Sequence, residues 1–513
     1  MSSSDDVGSN SVAAGPPPSG SAQQPPSTHS TLTARAAATN YSRSIDPLFV
    51  LRGHQAPIHH VQFLPSTSTS AHSTLPLLAS CDGNGVVHVW SLQTRRAVLQ
   101  FDGSANAVLG HLSSKAGSNV SHKQQQQLTK LSSSNPTSST NAVLSLHWLS
   151  PTHLLTQSKI GVLTIWQIDW DAKPTTVVQP LHTILTQQYT FARCTVSTQY
   201  QLIATSGEIA SNVTLYHYPS LQCLGVVECE KRETQQVEEV TEDEEPLHDA
   251  GAGLERKFGM VMCMALLTNV QQPTVFNEQQ QPSHAELRQH VYILVGTESG
   301  HLQLHRFPRS ASSKPAPLET TLVALLHLHA QPTLNLDVKQ SLDEPHKWIA
   351  VTGGASNNVA VCSITLPPSD AAATSKPSMR VINNVTQPHS GVNDLAIRAD
   401  LKIYAAACWD HRVRVYGIAD HSLLAVLQHH AEHVYSVAWC PTLQRTTQAS
   451  AGGEQSFELG LLASGGKDNK VAVWQLYNDQ QSTSAIPTKL QASSLFLPAS
   501  RAAMRQQQAT LTR

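Results

Sequence analysis

The stretch HSGVNDLAIRADLKIYAAACWDHRVRVYGI, residues 389–418, contains three short β-type runs separated by two polar turns. Val392–Ile397 and Val413–Tyr416 alternate between apolar and polar residues, whereas Ile403–Cys408 is small and apolar throughout. Short strands joined by polar turns predict an antiparallel meander. A single meander cannot bury its apolar face, so this stretch requires copies of itself elsewhere in the chain.

The first copy lies near the N-terminal end. Gly53-His54 precedes a strand, Asp82 lies in a turn, and the strand after that turn ends in Trp90. This order, repeated every ~40–45 residues, is typical of a WD-repeat blade. We count seven copies, of which the first and seventh are the clearest. The sequence therefore predicts an all-β fold, a seven-bladed WD40 β-propeller.

The seventh copy repeats the pattern with His430, the turn residue Asp468 and a strand ending in Trp474. We expect the imidazoles of His54 and His430 to hydrogen-bond the turn carboxylates of their own blades. Such bonds would satisfy buried polar groups and fix the turns, so these residues are interpreted as structural.

Polar, low-complexity segments flank and interrupt the repeats. Residues 1–45 are rich in Ser, Pro and Gln without periodicity, which predicts a disordered N-terminal segment. The propeller is expected over residues 46–478, and a C-terminal tail over residues 479–513. Insertions are expected near residues 102–142, 228–257, 268–289, 365–380 and 443–458.

The N-terminal strand Leu48–Leu51 precedes the first Gly-His and has no blade of its own. The seventh copy, in turn, has no good outer strand of its own. We therefore expect residues 47–51 to supply the outer strand of the last blade, which would close the ring and leave only short protected edges.

Two strings near the C-terminal end, WDHRVRVY at 409–416 and LLASGGKDNKVAVWQLY at 461–477, resemble the ASTRA-associated protein 1 family of WD-repeat proteins. The opening PLFVLRGHQAPIHHVQF, residues 47–63, is similar to the start of the same propeller. The animal counterpart of this family is the G-protein β-subunit-like protein 1. The resemblance covers both ends of the propeller, and the long Ser/Gln insertions depart from the compact family pattern.

This resemblance implies a non-enzymatic subunit of the ASTRA assembly, associated with chromatin remodelling and with maturation of phosphatidylinositol-3-kinase-related kinases. The implied partners are those kinases, AAA+ ATPases and telomere-length-regulation co-chaperones, and the implied location is the nucleus, with the cytoplasm as a second location. A WD40 substrate receptor of a cullin-type ubiquitin ligase, or another propeller interaction hub, is the alternative.

The turn Trp409-Asp410-His411-Arg412 allows a structural and a functional interpretation. In the structural one, Asp410 accepts backbone N–H bonds in the turn and Trp409 packs on a neighbouring blade. In the functional one, Trp409 and Arg412 contact a partner, since both residue types are frequent at interface hot spots. The ligase alternative needs a W-D-x-R string at the end of a third strand, whereas this string lies between the second and third strands.

Composition and motifs favour a protein-binding role without a cofactor. The formal net charge is −2 and the pI about 7.0, so no basic field predicts direct nucleic-acid binding. No apolar run approaches the ~18 residues of a membrane span. The 26 histidines lack metal-ligand spacing, and no phosphate loop or nucleophile elbow is present. The inner strands are mainly apolar, with Arg193, Asp337 and Asp394 as exceptions, which argues against an enzyme.

Overall fold

Each repeat forms one antiparallel sheet in the computed structural model of the chain, and the seven sheets are the blades of a propeller. The structure describes residues 45–65, 77–108, 141–172, 177–186, 190–218, 220–230, 258–268, 291–306, 320–367, 376–441, 444–450 and 453–478. The predicted N-terminal segment, C-terminal tail and first three insertions lie wholly or mostly outside these residues, as does the middle of the fourth insertion, residues 368–375. Their assignments therefore stay predictions.

The first strand, β1, spans Phe49–Arg52 and precedes the blades. Blade one contains β2 Ile58–Phe63, β3 Leu77–Asp82, β4 Val86–Ser91 and β5 Arg96–Asp102. Blade two contains β6 Val143–Ser150, β7 His153–Ser158, β8 Val162–Asp169 and β9 Val177–Leu185. Blade three contains β10 Thr195–Ser197, β11 Leu202–Ser206, β12 Asn212–His217 and β13 Gln222–Glu228. Blade four contains β14 Val261–Thr268, β15 Val291–Thr297, β16 His301–Arg306 and β17 Thr321–His327.

The three remaining blades follow the same order along the chain. Blade five contains β18 Asn335–Gln340, β19 Lys347–Gly353, β20 Asn358–Thr365 and β21 Ser378–Thr386. Blade six contains β22 Val392–Ile397, β23 Ile403–Cys408, β24 Arg412–Gly417 and β25 Leu423–Gln428. Blade seven uses β26 Val434–Trp439, β27 Gln444–Ser450, β28 Gly453–Gly466 and β29 Lys470–Asn478. One helical turn, residues 105–108, follows blade one.

Burial explains why the central strands of a blade are apolar throughout while the outer strands alternate. Every residue of β23 in blade six is buried, because neighbouring blades cover both faces of a central strand. The outer strand β21 of blade five instead exposes every second residue from Ser378 to Thr386. The apolar core is therefore divided among the blade junctions. Seven apolar clusters each join two consecutive blades, including blade seven to blade one.

The N-terminal strand closes the ring, which confirms the closure predicted from the sequence, although the strand runs Phe49–Arg52 rather than over residues 47–51. It pairs antiparallel with β29, with Phe49 opposite Val473. The carbonyl of Val473 also accepts the Leu48 N–H at 2.7 Å. Leu51 is 2% exposed and packs with the apolar cluster between blades seven and one. Blade seven is thus assembled from both ends of the described chain.

The predicted insertion near 443–458 forms a two-stranded arm in the structure. Strand β27 pairs antiparallel with the first half of β28, with Gln444 opposite Leu459. The second half of β28 continues into the blade, where it pairs with β26 and β29. In blade three, the predicted inner strand Phe191–Val196 is replaced by the shorter strand Thr195–Ser197.

Each inner strand pairs with only one strand of its own blade and borders the central channel on its other edge. The N–H groups on that edge therefore need partners from outside the blade. At four junctions a side chain of one inner strand accepts an N–H of the next inner strand. The pairs are Gln62 with Trp148 at 2.9 Å, Asp337 with Ile397 at 2.7 Å, Asp394 with Val437 at 3.0 Å and Ser436 with Val61 at 3.2 Å. These bonds tie consecutive blades together around the channel.

We call the end of the propeller at which the inner strands begin the upper face. Because successive strands of a blade run in opposite directions, the turn between the second and third strands lies at the same end. The turns that contain Asp82, Asp410 and Asp468 therefore share the upper face with the loops that enter the inner strands.

Candidate functional site

In blade one, four side chains form a buried hydrogen-bond network beneath the upper face. Nδ1 of His54 lies 2.8 Å from Oδ2 of Asp82, and its Nε2 lies 2.7 Å from Oγ of Ser80. The indole N–H of Trp90 donates to the same hydroxyl at 2.8 Å. The other carboxylate oxygen of Asp82 accepts the N–H of Val86 at 2.9 Å. The hydrogen bond predicted between His54 and the turn carboxylate of Asp82 is therefore present.

Blade seven repeats this network. His430 lies 3.0 Å from Oδ1 of Asp468 and 2.8 Å from Oγ of Ser464, which also accepts the Trp474 N–H at 2.9 Å. Burial alone would raise the pKa of Asp468, but the hydrogen bond from His430 and that from the Ala431 N–H outweigh it. The pKa of Asp468 consequently falls to about 2. The hydrogen bond predicted between His430 and Asp468 is present as well.

Sequence reasoning missed Ser80 and Ser464, although a signal for them exists. In blades one and seven the hydroxyl lies ten residues before the tryptophan whose indole N–H it accepts. Blade two has the same spacing between Thr156 and Trp166. A hydroxyl ten residues before a terminal tryptophan was therefore readable as a recurring hydrogen-bonded pair.

In blade six a buried ion pair satisfies the turn carboxylate, which corrects the predicted hydrogen-bond partners of Asp410. Both carboxylate oxygens of Asp410 accept from the Arg414 guanidinium, at 2.8 Å and 2.5 Å, rather than from turn N–H groups. The Arg414 side chain is only 1% exposed. Burial acts to raise the pKa of Asp410, but the Arg414 bonds and charge hold it below its usual value.

Two other positions of the network also differ in blade six. Ala406 lies ten residues before Tyr416, where blades one and seven have a serine and a tryptophan. Tyr416 stacks on Tyr404, with ring centroids 5.2 Å apart. His389, shortly before the first strand of blade six, does not take the place of His54 and His430, because its side chain is 58% exposed and its Nε2 lies 4.0 Å from Asp410. The imidazole is unnecessary here because Arg414 already satisfies the carboxylate.

Trp409 is held in one orientation by its surroundings. Its indole N–H donates to the side-chain carbonyl of Asn393 at 2.7 Å. A Cβ atom at Gly391 would overlap the indole ring, so only glycine allows the ring to pack in this position. Gly391 also has a φ of +91°, a conformation that favours glycine. The Trp409 ring also stacks towards His433 at the start of blade seven, so Trp409 packs on the neighbouring blade as the structural interpretation predicts.

Trp409 belongs to a row of rings that crosses the upper face from blade six to blade seven. We call Trp409, His411, His433 and Tyr435 the ring stripe. The ring centroid of His433 lies 6.3 Å from that of Trp409, 5.7 Å from that of His411 and 6.5 Å from that of Tyr435. His411 is exposed and has a φ of 68°, a strained conformation for a residue with a side chain.

Arg412 lies beside the ring stripe and is the less constrained of the two predicted contact residues. Its side chain is 42% exposed, and its guanidinium lies 3.9 Å from the Asp410 carboxylate, which is already bonded to Arg414. The guanidinium is thus free to take part in a contact with another protein. No partner is present, so the contact assigned to Trp409 and Arg412 stays a prediction.

The three ionisable exceptions on the inner strands face one central channel of about 880 Å³. Arg193 of blade three reaches across it, pairing with Asp394 of blade six at 2.8 Å. The same guanidinium donates to the carbonyls of His59 and Tyr435, both at 2.8 Å. Asp337 instead binds the Ile397 N–H. Arg193 thus connects blade three to blades six, one and seven, and Asp337 connects blade five to blade six.

The described residues contain no group of three or more His, Cys, Asp or Glu side chains placed to hold a metal ion. All eight cysteines are free, and seven of them are buried, Cys223 being exposed. No helix in the described ranges has the length and apolar character that a bilayer crossing requires.

Comparison with protein families agrees with this geometry at both ends of the ring. The family model described as WD domain, G-beta repeat, matches residues 45–91 and 421–475. These segments contain the closing strand and most of blade one, and the outer strand of blade six with blade seven. The buried His–Asp–Ser–Trp networks lie within the same two blades. The chain is a WD-repeat β-propeller protein.

Several known proteins are similar to the chain over most of its length. Guanine nucleotide-binding protein subunit beta-like protein 1 of Mus musculus is 24% identical over 435 residues, 84% of this chain and 96% of that protein. ASTRA-associated protein 1 of Penicillium rubens is 23% identical over 496 residues, covering 84% and 97%. That of Schizosaccharomyces japonicus is 22% identical over 440 residues, covering 84% and 99%. The chain is therefore homologous to ASTRA-associated protein 1 and to the Gβ-like protein.

Proposed function

We propose that the protein is a non-enzymatic scaffold subunit of an ASTRA-type assembly in the nucleus. The observation that carries this proposal is the similarity to ASTRA-associated protein 1 over 84% of this chain, which is far more than the two ends of the propeller. The assembly would serve chromatin remodelling and the maturation of phosphatidylinositol-3-kinase-related kinases. Its expected partners are AAA+ ATPases, telomere-length-regulation co-chaperones and those kinases.

The arrangement of the ionisable groups supports a scaffold rather than a catalyst. Arg193, Asp337 and Asp394 each bind backbone groups of other blades, so their polar atoms are committed to holding the ring. A catalytic acid or base must instead reach a substrate proton. The ring stripe and Arg412, in contrast, present aromatic and guanidinium groups at the surface, the composition of a protein-binding hot spot.

Affinity purification followed by mass spectrometry tests the proposal. The wild-type protein should recover AAA+ ATPases and kinase co-chaperones. Recovery of a cullin adaptor in their place would support the ubiquitin-ligase alternative and contradict the scaffold assignment.

The variant Arg412→Ala tests where the contact lies. Because this side chain is 42% exposed and only loosely paired, its removal should change the free energy of unfolding by less than about 0.5 kcal/mol. Recovery of the partners should nevertheless fall several-fold. Arg380→Ala, an exposed arginine on the outer strand of blade five, is the matched control and should recover them fully. Full recovery with Arg412→Ala would place the contact on another surface.

A further inference from the structure

A second concave site lies at the upper mouth of the channel, where blades one, two and three meet. Lys159 follows β7 in the turn of blade two, Phe191 precedes β10 of blade three, and His59 is the second residue of β2 in blade one. All three side chains line the same channel. We call the space between them the channel-mouth pocket. It depends on neither Trp409 nor Arg412.

The pocket combines an exposed aromatic ring with an ammonium group. Phe191 is 60% exposed, although an aromatic side chain is usually covered. The Lys159 ammonium lies 5.6 Å from the centroid of the Phe191 ring. No carboxylate of the described residues forms an ion pair with Lys159. An apolar surface and a positive charge are therefore offered to solvent side by side.

Arg193 forms the floor of the pocket but does not offer its charge. Its guanidinium is occupied by the Asp394 carboxylate and by the carbonyls of His59 and Tyr435. The charge of Arg193 is thus balanced by Asp394, and Lys159 is left as the cation available to a ligand.

The surroundings of His59 lower the pKa of its imidazole. Burial, followed by the charges of Arg193 and Lys159, lowers its pKa to about 4, while Asp82 acts in the opposite direction. The Tyr435 ring packs edge-on against the imidazole, with centroids 5.9 Å apart. The imidazole is therefore neutral at pH 7, and an anion placed beside it would favour its protonation.

We propose that the channel-mouth pocket binds an acidic segment of a partner protein. A Glu or Asp carboxylate would pair with the Lys159 ammonium, and an apolar side chain next to it in the segment would cover Phe191. Charge complementarity selects the carboxylate, and the exposed ring selects a peptide over a free anion, which has no apolar part to place on Phe191.

Phosphorylated and nucleic-acid ligands fit the same pocket less well. Phosphate recognition in proteins usually relies on clusters of arginines with free donors, whereas the donors of Arg193 are already occupied. Single-stranded nucleic acid needs open aromatic faces in series along a basic groove. Here Phe191 is a single ring, and the Trp409 indole of blade six is packed on Gly391 and stacked towards His433.

Fluorescence anisotropy with two labelled octapeptides would test this assignment on the full chain. One peptide contains seven glutamates and a central leucine, and the other contains seven lysines and the same leucine. The glutamate peptide should bind and the lysine peptide should not. The variant Lys159→Glu should weaken binding about tenfold, because it replaces an attractive charge by a repulsive one. Phe191→Ala should weaken it about fivefold through loss of apolar contact.

Matched controls lie at the opposite end of the propeller, one on the loop between β18 and β19 and one at the first residue of β19. Lys347→Glu reverses a charge there, and Leu342→Ala removes an apolar side chain that is 71% exposed. Both should bind the glutamate peptide as the wild type does. Equal affinity of wild type, Lys159→Glu and Phe191→Ala would overturn the proposal. Tighter binding of a phosphoserine peptide or of labelled single-stranded RNA than of the glutamate peptide would overturn it too.

Proton linkage gives a second, independent readout. A bound carboxylate should raise the pKa of His59 from about 4 towards its ordinary value. Affinity for the glutamate peptide should therefore increase about threefold or more between pH 7.5 and pH 5.5, still above the pKa of the peptide carboxylates. The variant His59→Gln should bind at pH 7.5 as the wild type does but lose this increase. An affinity independent of pH in the wild type would contradict a carboxylate beside His59.

Discussion

Blades six and seven place an aspartate at the same turn but bury different partners for it. In blade seven, Asp468 faces His430 within a network that ends on Ser464 and Trp474. In blade six, Asp410 faces Arg414, whose side chain is fully enclosed. In blade seven, four side chains share the hydrogen bonds that satisfy the buried polar groups. In blade six, one ion pair satisfies the carboxylate. Removal of one member should therefore have unequal consequences in the two blades.

The blades also differ in how the chain builds them. Blade six is continuous from β22 to β25, whereas the outer strand of blade seven is β1, from the other end of the described chain. Deleting residues 1–52 removes this strand, uncovers β29 and leaves the partners of Leu51 exposed. We expect a loss of about 5 kcal/mol or more in the free energy of unfolding, comparable with the whole stability of many domains.

Thermal melting of two truncations measures this effect. Deleting residues 1–44 is the control, because it keeps Ile45, which bridges to Leu427 in blade six. That truncation should melt as the full chain does. Equal melting temperatures for the two truncations would show that β1 contributes nothing to blade seven.

The buried ion pair of blade six gives the next largest effect. Asp410→Ala leaves the Arg414 guanidinium buried without a counter-charge, which should lower the free energy of unfolding by about 3–5 kcal/mol. The double variant Asp410→Leu with Arg414→Met removes both charges and should recover most of this loss. Urea unfolding measures both. A double variant as unstable as Asp410→Ala would indicate that the turn itself, rather than the charge, is the source of stability.

A single deletion in the blade seven network should have a smaller effect. Ser464→Ala removes the hydroxyl that accepts the Trp474 indole N–H and that is hydrogen-bonded to Nε2 of His430. Both buried groups then lack a partner. The expected loss is about 1–3 kcal/mol, and Ser80→Ala in blade one should give a similar value. Urea unfolding under the same conditions compares them. Losses below about 0.5 kcal/mol for both serines would contradict the importance of the network.

The smallest effect concerns pH. The folded pKa of Asp468 is about 2, below its value in an unfolded chain, so its stabilisation is present above pH 4 and is lost as pH falls towards 2. Urea unfolding measured from pH 5 to pH 2 should therefore show a shallower decline for Asp468→Asn than for the wild type. Asp343→Asn, on an exposed loop of blade five, should keep the wild-type decline. Equal declines in all three proteins would contradict this linkage.

The sequence predicts those parts of the molecule that depend on local pattern. The seven blades, the turn at 409–412, the two His–Asp pairs and the closing strand follow from periodicity and spacing. The outer strands of blades one to six were not predicted, because half-exposed strands such as Ser378–Thr386 carry few apolar residues.

Interactions between distant segments could not be predicted in the same way. Arg193 and Asp394 meet only because the closed ring brings blades three and six to one channel. The partner of Asp410 was missed for a different reason. Asp410 and Arg414 are close in sequence, but an inward Arg414 needs room inside the blade. Ala406, which lies opposite Arg414, is smaller than the serine of blades one and seven, and no imidazole is buried here as in those blades. The occupied volume of a blade interior is not visible in a local pattern.

The closure of blade seven has a consequence for biosynthesis. Strand β1 leaves the ribosome first, yet its partner β29 begins only at Lys470. At roughly 5–20 residues per second, translation keeps the first strand waiting for about 20 s or longer. During that interval a nascent chain holds an unpaired strand at one end and an incomplete row of blades at the other. The last residues synthesised in the propeller therefore decide when the earliest ones become protected, and blades one to six must tolerate an open ring until then.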